Sequence, residues 1–200
     1  MSTIWNIWTS GGWVMIPLFG LAVLLYAQAF QLVLYVRRTN LPSETESAWF
    51  EWVRDPEKAT GRVRDILVYT QEGVAEGLVS GELVRKRFDE IRLALVGLIE
   101  RRTVFVSTLV AAAPLLGLLG TVLGMLQTFF GISTSGGTET AGVVAAGISE
   151  ALVTTQTGLT IALPGLFLVM LIQRRRHRLE AKIARLESLT LSHLKLDRVE

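Results

Sequence analysis

Three long apolar stretches restrict the kinds of protein that this chain can form. They cover residues 12–36, 103–132 and 141–173, and each exceeds the ~20 residues that a helix needs to cross a hydrocarbon core of ~30 Å. Half of the chain is hydrophobic, which is more than a soluble domain of this size buries. The sequence predicts an all-α membrane protein with three transmembrane helices, of which the second and third extend beyond the bilayer.

The first apolar stretch is expected to stay in the protein as a helix. No basic residue precedes it, although a signal peptide begins with one or more positive charges. The stretch is also longer than the hydrophobic part of a cleaved signal peptide. Residues 12–36 are therefore interpreted as a retained transmembrane helix.

The positions of Lys and Arg predict the orientation of the three helices. All of these residues lie in 37–102 or 174–200. Because basic residues accumulate on the cytoplasmic side, both segments are expected in the cytoplasm. Residues 1–11 and 133–140 are then expected on the outer side. Tryptophan anchors proteins at a membrane interface, so lipid contacts are expected for Trp5, Trp8 and Trp13.

The cytoplasmic segments are expected to be helical and to bind no nucleic acid. Residues 37–102 hold equal numbers of acidic and basic side chains, whereas a nucleic-acid surface is strongly basic. Short amphipathic helices are predicted first, followed from about residue 82 by a helix that continues into the second apolar stretch. In the tail, 174–200, apolar residues recur at helical spacing and predict a cytoplasmic helix.

The composition argues against an enzyme, a cofactor and a metal site. The chain has no cysteine, which excludes disulfides and thiol nucleophiles. Phosphate-binding, zinc-protease and serine-hydrolase motifs do not occur. The two histidines, His177 and His193, have no ligand-like neighbours, although metal sites need clustered ligands.

Small residues form one face on each of the second and third apolar stretches. Such faces are typical of close helix packing in membranes, and threonines within them often bond to their own backbone. On the second stretch this face, with the adjacent Gly120, contains Ala113, Gly117, Thr121, Gly124 and Thr128. On the third stretch it contains Gly147, Ala151, Thr155, Gly158 and Ala162.

The two central threonines are predicted to lie at one depth. Thr121 lies nineteen positions after Arg102, and Thr155 lies nineteen positions before Arg174. In antiparallel helices anchored by these arginines, both hydroxyls would lie ~28 Å from the basic anchors. Thr154 and further polar residues of the third stretch would extend this level into a polar path, which a helix facing only lipid does not need.

Glu150 has two interpretations. Isolated charges cost at least ~3 kcal/mol in hydrocarbon, so a carboxylate in an apolar stretch indicates function. Alternatively, Ser149 caps a helix that begins at Glu150, where the helix dipole favours an acid. Residues 141–148 are apolar and lack proline, so the helix could also begin earlier and place Glu150 inside the bundle.

Two segments resemble the paired signature of the ExbB/TolQ/MotA family of ion-channel and stator subunits. They are residues 113–125, APLLGLLGTVLGM, and residues 147–164, GISEALVTTQTGLTIALP. Three spans, an outer N-terminus and a cytoplasmic insertion after the first span are similar to the ExbB and TolQ branch, since MotA has four spans.

The resemblance implies an assembly in the inner membrane of a Gram-negative bacterium. A homopentamer of this subunit would surround a dimer of single-span ExbD/TolR-like partners, with the N-terminus in the periplasm and the C-terminus in the cytoplasm. Proton flow would drive relative rotation, and the partner, together with a TonB/TolA-like protein, would transmit work to the outer membrane.

The resemblance also implies roles for particular residues. The pore-lining threonines of the family fall on Thr121 and Thr155, and its third-span glutamate falls on Glu150. The small-residue faces of the second and third stretches would line a central hole wide enough for the partner helices. The ion-carrying aspartate would belong to the partner. Pro114 and Pro164 are expected to bend their helices.

Two alternatives remain open at this point. A scaffold that assembles membrane partners without conducting ions would also need small-residue helix faces. The extra oxygens of Thr154 and Gln156 would suit Na⁺, a hard cation, so a sodium-driven motor is the second alternative. A secondary transporter is disfavoured because inverted repeats are not apparent.

Overall fold

A computed structural model describes residues 11–39, 41–42, 46–73, 80–134 and 140–194. Every regular element in these ranges is a helix. A short 3₁₀ turn, Pro56–Lys58, and a π-helical segment, Leu93–Gly97, join some of them. The α-helices are α1 Met15–Thr39, α2 Glu46–Arg54, α3 Arg62–Gln71, α4 Gly81–Arg92, α5 Leu98–Thr134 and α6 Thr140–His193.

Three of the helical runs are long and apolar enough to cross a membrane: Met15–Thr39, Gly81–Thr134 and Ala141–His193. The predicted all-α class with three spanning helices, the second and third of them extended, is confirmed. The chain is a multi-pass membrane protein. The predicted run from about residue 82 into the second span is also continuous, with the π-helical segment inside it.

Helix α1 begins three residues later than the first apolar stretch. Gly12 has a φ of 63°, a left-handed conformation that glycine adopts without steric cost and that interrupts a right-handed helix. At the other outer connection, α5 ends at Thr134 and α6 begins at Thr140. Trp5, Trp8 and most of the loop predicted at 133–140 lie outside the described residues.

The chain divides into two compact units. Unit 1 comprises Met1–Gln31 and Thr103–Met170, and unit 2 comprises Leu32–Arg102 and Leu171–Glu200. In unit 1, α6 packs against α1 and α5. Tyr26 of α1 donates a hydrogen bond of 2.9 Å to the carbonyl of Ile161, and Gly165 contacts Val110 and Leu25. Many large apolar side chains of this unit are exposed, as expected for a lipid-facing surface.

Unit 2 has a hydrophobic core that short helices alone could not provide. Phe88 and Leu67, from α4 and α3, are fully buried, together with Leu179, Ile183 and Leu186 of α6. The three α6 residues recur at i, i+4 and i+7, so they form one apolar face. Ser80 begins α4 as an N-cap, since its hydroxyl accepts from the backbone N–H of Leu83 at 3.3 Å.

A lysine of α6 holds the connection that follows α1. Lys182 Nζ donates to the carbonyl of Leu41 at 2.5 Å, and Leu41 is buried. Partial burial lowers the pKa of Lys182, and the positive charge of Arg178 lowers it further. Desolvation of this charged amine is unfavourable, and its hydrogen bond to the carbonyl of the buried Leu41 offsets part of that cost.

Removing Arg92 should destabilise unit 2. Arg92 Nη2 pairs with Glu187 at 2.9 Å, and the Glu187 side chain is only 20% exposed. Arg92→Ala would leave this carboxylate largely desolvated without its partner, at a cost of about 1–3 kcal/mol. Thermal unfolding of the detergent-solubilised protein measures this loss of stability. The control is Arg64→Ala, which removes an exposed pair with Glu57 and should cost less than ~1 kcal/mol. Equal losses in the two variants would contradict the expectation.

Candidate ion pathway

Helices α5 and α6 approach each other closely enough for their backbones to touch. A Cβ added at Gly158 would lie 2.7 Å from the Ala113 carbonyl oxygen, and one at Gly117 would lie 2.9 Å from that of Thr154. At Gly124 it would lie 2.9 Å from the Gly147 oxygen. No real side chain fits at such distances, so the small-residue faces pack against each other, which fits the helix-packing interpretation. That they also line a central hole stays a proposal.

The contacts also define the register of the two helices. Gly117 meets Thr155, Gly124 meets Ala151, and Gly131 meets Val143. Numbers rise along α5 as they fall along α6, so the helices are antiparallel. This register places Thr121 within about one helical turn of the level of Thr155, in agreement with the predicted common depth.

The two threonines are partly exposed and differ in their hydrogen bonds. Thr155 Oγ1 donates across the helix pair to the Gly117 carbonyl at 3.2 Å. Thr121 Oγ1 donates to the carbonyl of Leu118, in its own helix, at 2.6 Å. At 100° per residue, Thr121 lies roughly 40° around α5 from Gly117, and Thr155 lies roughly 40° around α6 from Ala151, in the same rotational sense. In an antiparallel pair these offsets fall on the same side. We call this side of the α5–α6 pair the threonine face.

Thr154 does not belong to the threonine face. Its side chain has no exposed surface, and its hydroxyl bonds to the carbonyls of Ala151 and Glu150 in the same helix. A Cβ at Gly120 would lie 2.4 Å from Thr154 Oγ1. In the subunit, Thr154 therefore fills the helix interface opposite Gly120.

Glu150 lies inside α6, not at its start. The helix begins at Thr140, so the alternative in which Ser149 caps a helix that starts at Glu150 is wrong. The apolar residues 141–148 form the first turns instead. A Cβ at Gly12 would lie 1.7 Å from Glu150 Oε1, so the carboxylate rests against the backbone that leads into α1.

Glu150 and Thr155 consequently face different neighbours. They are five positions apart, which is roughly 140° around a helix. Glu150 and Val153 contact the start of α1, whereas Thr155 contacts α5. The polar path predicted along α6 is thus divided between two sides of the helix.

Two prolines lie within these helices, Pro114 in α5 and Pro164 in α6. Proline has no N–H, so the carbonyls four residues earlier, Val110 and Thr160, lose their usual helical partners. Both helices continue past the prolines without a break. The predicted bends stay a proposal.

Sequence reasoning missed the contacts that α1 makes with α6. Tyr26 and Gly12 supply these contacts, but α1 carries no small-residue face that would have indicated its partner. The Gly11–Gly12 pair was a possible signal, since adjacent glycines allow close approach of another segment.

The chemistry available in unit 1 is restricted. Among its described residues, Glu150 is the one charged side chain, and no group of three or more His, Asp or Glu residues in the described chain could hold a metal ion. The threonine face offers hydroxyls and carbonyls, which orient a proton or an ion but do not release a proton near neutral pH. Among the described residues of unit 1, no group at this face titrates near neutral pH.

Comparison with known proteins gives consistent matches. The sequence profile of the MotA/TolQ/ExbB proton channel family matches residues 68–185. A putative biopolymer transport protein, ExbB-like 1 of Synechocystis, is 31% identical over 178 residues, which are 76% of this chain and 64% of that protein. The biopolymer transport protein ExbB of Salmonella typhimurium is 35% identical over 106 residues, 51% of this chain and 43% of the relative.

A third relative, the biopolymer transport protein exbB1 of Vibrio cholerae, is 42% identical over 71 residues, 36% of this chain and 31% of its own length. The matches thus span less than two thirds of the length of these three relatives. The family profile covers more than half of the chain and includes both the threonine face and Glu150. The family consists of transport proteins, not enzymes. The chain belongs to the MotA/TolQ/ExbB proton channel family, in its ExbB-like branch.

Proposed function

We propose that this chain is the channel-forming subunit of a proton-driven membrane motor that energises transport or mechanical work at the outer membrane. The observation that carries the proposal is the threonine face, with two hydroxyls within about one helical turn of each other on a partly exposed side of a close-packed helix pair. Membership of a proton channel family supports it. So do the relatives, which are called biopolymer transport proteins.

The proposed assembly is a homopentamer around a dimer of single-span ExbD/TolR-like partners. Pore-lining threonines need a proton carrier, and the described residues of unit 1 contain no aspartate. A partner aspartate opposite Thr121 and Thr155 would fill this role, with the hydroxyls or ordered water bonding to its charged form. A TonB/TolA-like protein would receive the work. Small residues, including Gly117, Gly124 and Gly147, support the helix pair that lines the pore.

We place the subunit in the inner membrane of a Gram-negative bacterium. The N-terminus and the connection after α5 would face the periplasm, and the C-terminus would face the cytoplasm. The distribution of Lys and Arg supports this orientation, since all of them lie in 37–102 or 174–200.

Protons are favoured over Na⁺ as the driving ion. The sodium alternative needs several oxygens around one cation. Thr154 would have been one donor, but its hydroxyl is buried and bonded within its own helix. Glu150 lies on the other side of α6 from Thr155 and is not available to complete such a site in one subunit.

Reconstitution tests the proposal against the non-conducting scaffold. The subunit is incorporated into liposomes with a single-span partner that carries an intramembrane aspartate, and pH-dependent dye fluorescence follows proton flux under an imposed gradient. Flux is expected with both proteins, and it should be lost when the partner aspartate is replaced by asparagine. An intact complex without flux above that of empty liposomes would favour the scaffold.

A further inference from the structure

The contact between Glu150 and Gly12 is not explained by the proposed pore. The carboxylate lies against the residues that lead into α1, and a Cβ at Gly12 would overlap Oε1 at 1.7 Å. On the next turn of α6, Val153 contacts the position of a Gly11 Cβ at 3.3 Å. Glu150 and Val153, on successive turns of α6, therefore lie against the neighbouring glycines Gly12 and Gly11.

Gly12 is required here for two independent reasons. Its φ of 63° lies in the left-handed region, where a Cβ is sterically unfavourable. Its missing side chain also leaves the space that the carboxylate occupies. Gly61 shares only the first of these two features. Its φ is 59°, but nothing lies within 4 Å of a Cβ added there.

The start of α1 can compensate the charge of Glu150. No Lys or Arg occurs among the described residues of unit 1, so the carboxylate has no cation there. The first hydrogen bonds of α1 run from Met15 N–H to the Gly12 carbonyl at 3.3 Å and from Ile16 N–H to the Trp13 carbonyl at 3.2 Å. Earlier N–H groups have no place in the helical ladder, and a helix start carries a partial positive charge equivalent to about half an elementary charge.

We propose that Glu150 is a positioning residue, whose carboxylate fixes the outer end of α1 on α6 and so sets the orientation of the turn that carries Thr155. In this role Glu150 contacts no ion. It acts through Gly12 and the start of α1, on the side of α6 away from the threonine face.

Disulfide cross-linking in membranes tests the contact itself. The protein contains no cysteine, so disulfides form only between introduced cysteines. Gly11→Cys with Val153→Cys joins the start of α1 to α6. Gly131→Cys with Val143→Cys joins α5 to α6 near the same outer end. The Cβ positions of the latter pair are 3.7 Å apart, a distance suited to a disulfide.

Glu150→Ala is expected to slow cross-linking of the 11–153 pair about fivefold, the order of effect of a charge at a partly buried helix end. The 131–143 pair should cross-link at its original rate. Gly12→Ala should slow the 11–153 pair as well, whereas Gly61→Ala, which carries the same backbone strain without the contact, should not. Unchanged 11–153 cross-linking in Glu150→Ala would overturn the proposal, and so would equal losses for both pairs.

Proton flux distinguishes positioning from ion binding. If Glu150 acts through Gly12, the double variant Gly12→Ala, Glu150→Ala should conduct no worse than Glu150→Ala alone, because both changes break the same contact. Additive losses in flux with unchanged cross-linking would identify Glu150 as an ion ligand and overturn the proposal. The flux measurement rests on the proposed function, whereas the cross-linking requires neither partner nor gradient and stands if the channel proposal fails.

Discussion

Thr155→Val is expected to abolish most of the proton flux while leaving the subunit folded. Valine has nearly the same shape as threonine but no hydroxyl, so it removes the donor that reaches the Gly117 carbonyl and the proposed contact with the partner aspartate. A hydrogen bond to a charged group is worth ~1.5–3 kcal/mol, which corresponds to roughly ten- to a hundredfold in rate. Dye-monitored flux in liposomes with the partner measures the loss.

The matched control is Thr160→Val, one and a half turns further along α6. Thr160 Oγ1 donates to the Gln156 carbonyl of its own helix at 2.8 Å, so its loss should leave flux near the wild-type value. Stability should change little in either variant. Thr155→Val removes one interhelical hydrogen bond, which in a membrane averages ~0.6 kcal/mol, and Thr160→Val removes a bond within its own helix. Thr155→Ser restores the hydroxyl and should recover much of the flux. Normal flux in Thr155→Val would remove the threonine face from the pathway.

The second large effect is expected for Gly158→Ala. The added methyl group would lie 2.7 Å from the Ala113 carbonyl oxygen and 3.3 Å from Gly117 Cα. These are backbone atoms, so neither can rotate away, and α5 and α6 must separate. Overpacking of this kind costs about 1–3 kcal/mol, which outweighs the ~0.5–1 kcal/mol that alanine gains over glycine as a helix former. Resistance to unfolding in mixed detergent micelles with increasing SDS measures the difference.

Gly142→Ala is the control in the same helix. Nothing lies within 4 Å of a Cβ at Gly142, so only the gain in helix propensity remains and stability should hold or rise. If Gly158→Ala and Gly142→Ala shift the unfolding midpoint equally, the close backbone contact does not contribute to stability. Because the widened helix pair also displaces Thr155 from Gly117, flux should fall with stability in Gly158→Ala.

Much of the fold followed from local patterns. The length of each apolar stretch predicted three spanning helices, and the spacing of Gly117, Gly124, Gly147 and Gly158 indicated faces suited to close helix packing. The similar depth of Thr121 and Thr155, within about one helical turn, also followed, because a helix rises by a fixed distance per residue and both ends were marked by arginines. Hydrophobic length and helical period depend only on neighbouring residues.

The surroundings of polar residues in α6 could not be predicted in the same way. Thr154 and Thr155 are adjacent in sequence, yet Thr154 is fully buried against Gly120 while Thr155 stays partly exposed. A rotation of the helix by one residue, roughly 100°, would put Thr155 in the place of Thr154. Periodicity groups residues into faces but does not say how each face is turned toward its neighbour.

Glu150 shows most clearly the difference between what local sequence patterns predict and what tertiary contacts decide. Its sequence context showed an acid in a long apolar stretch, either inside a helix or in its first turn, where hydrocarbon does not solvate a charge. Only the tertiary structure decided which segment lies against the carboxylate. Gly12 is 138 positions away, and its left-handed turn brings the start of α1 against the carboxylate. Hydrophobic length and helical period are local properties, and they determined that this is a membrane protein with three spanning helices. Contacts between distant segments decided which residues lie on the threonine face and which lie against α1.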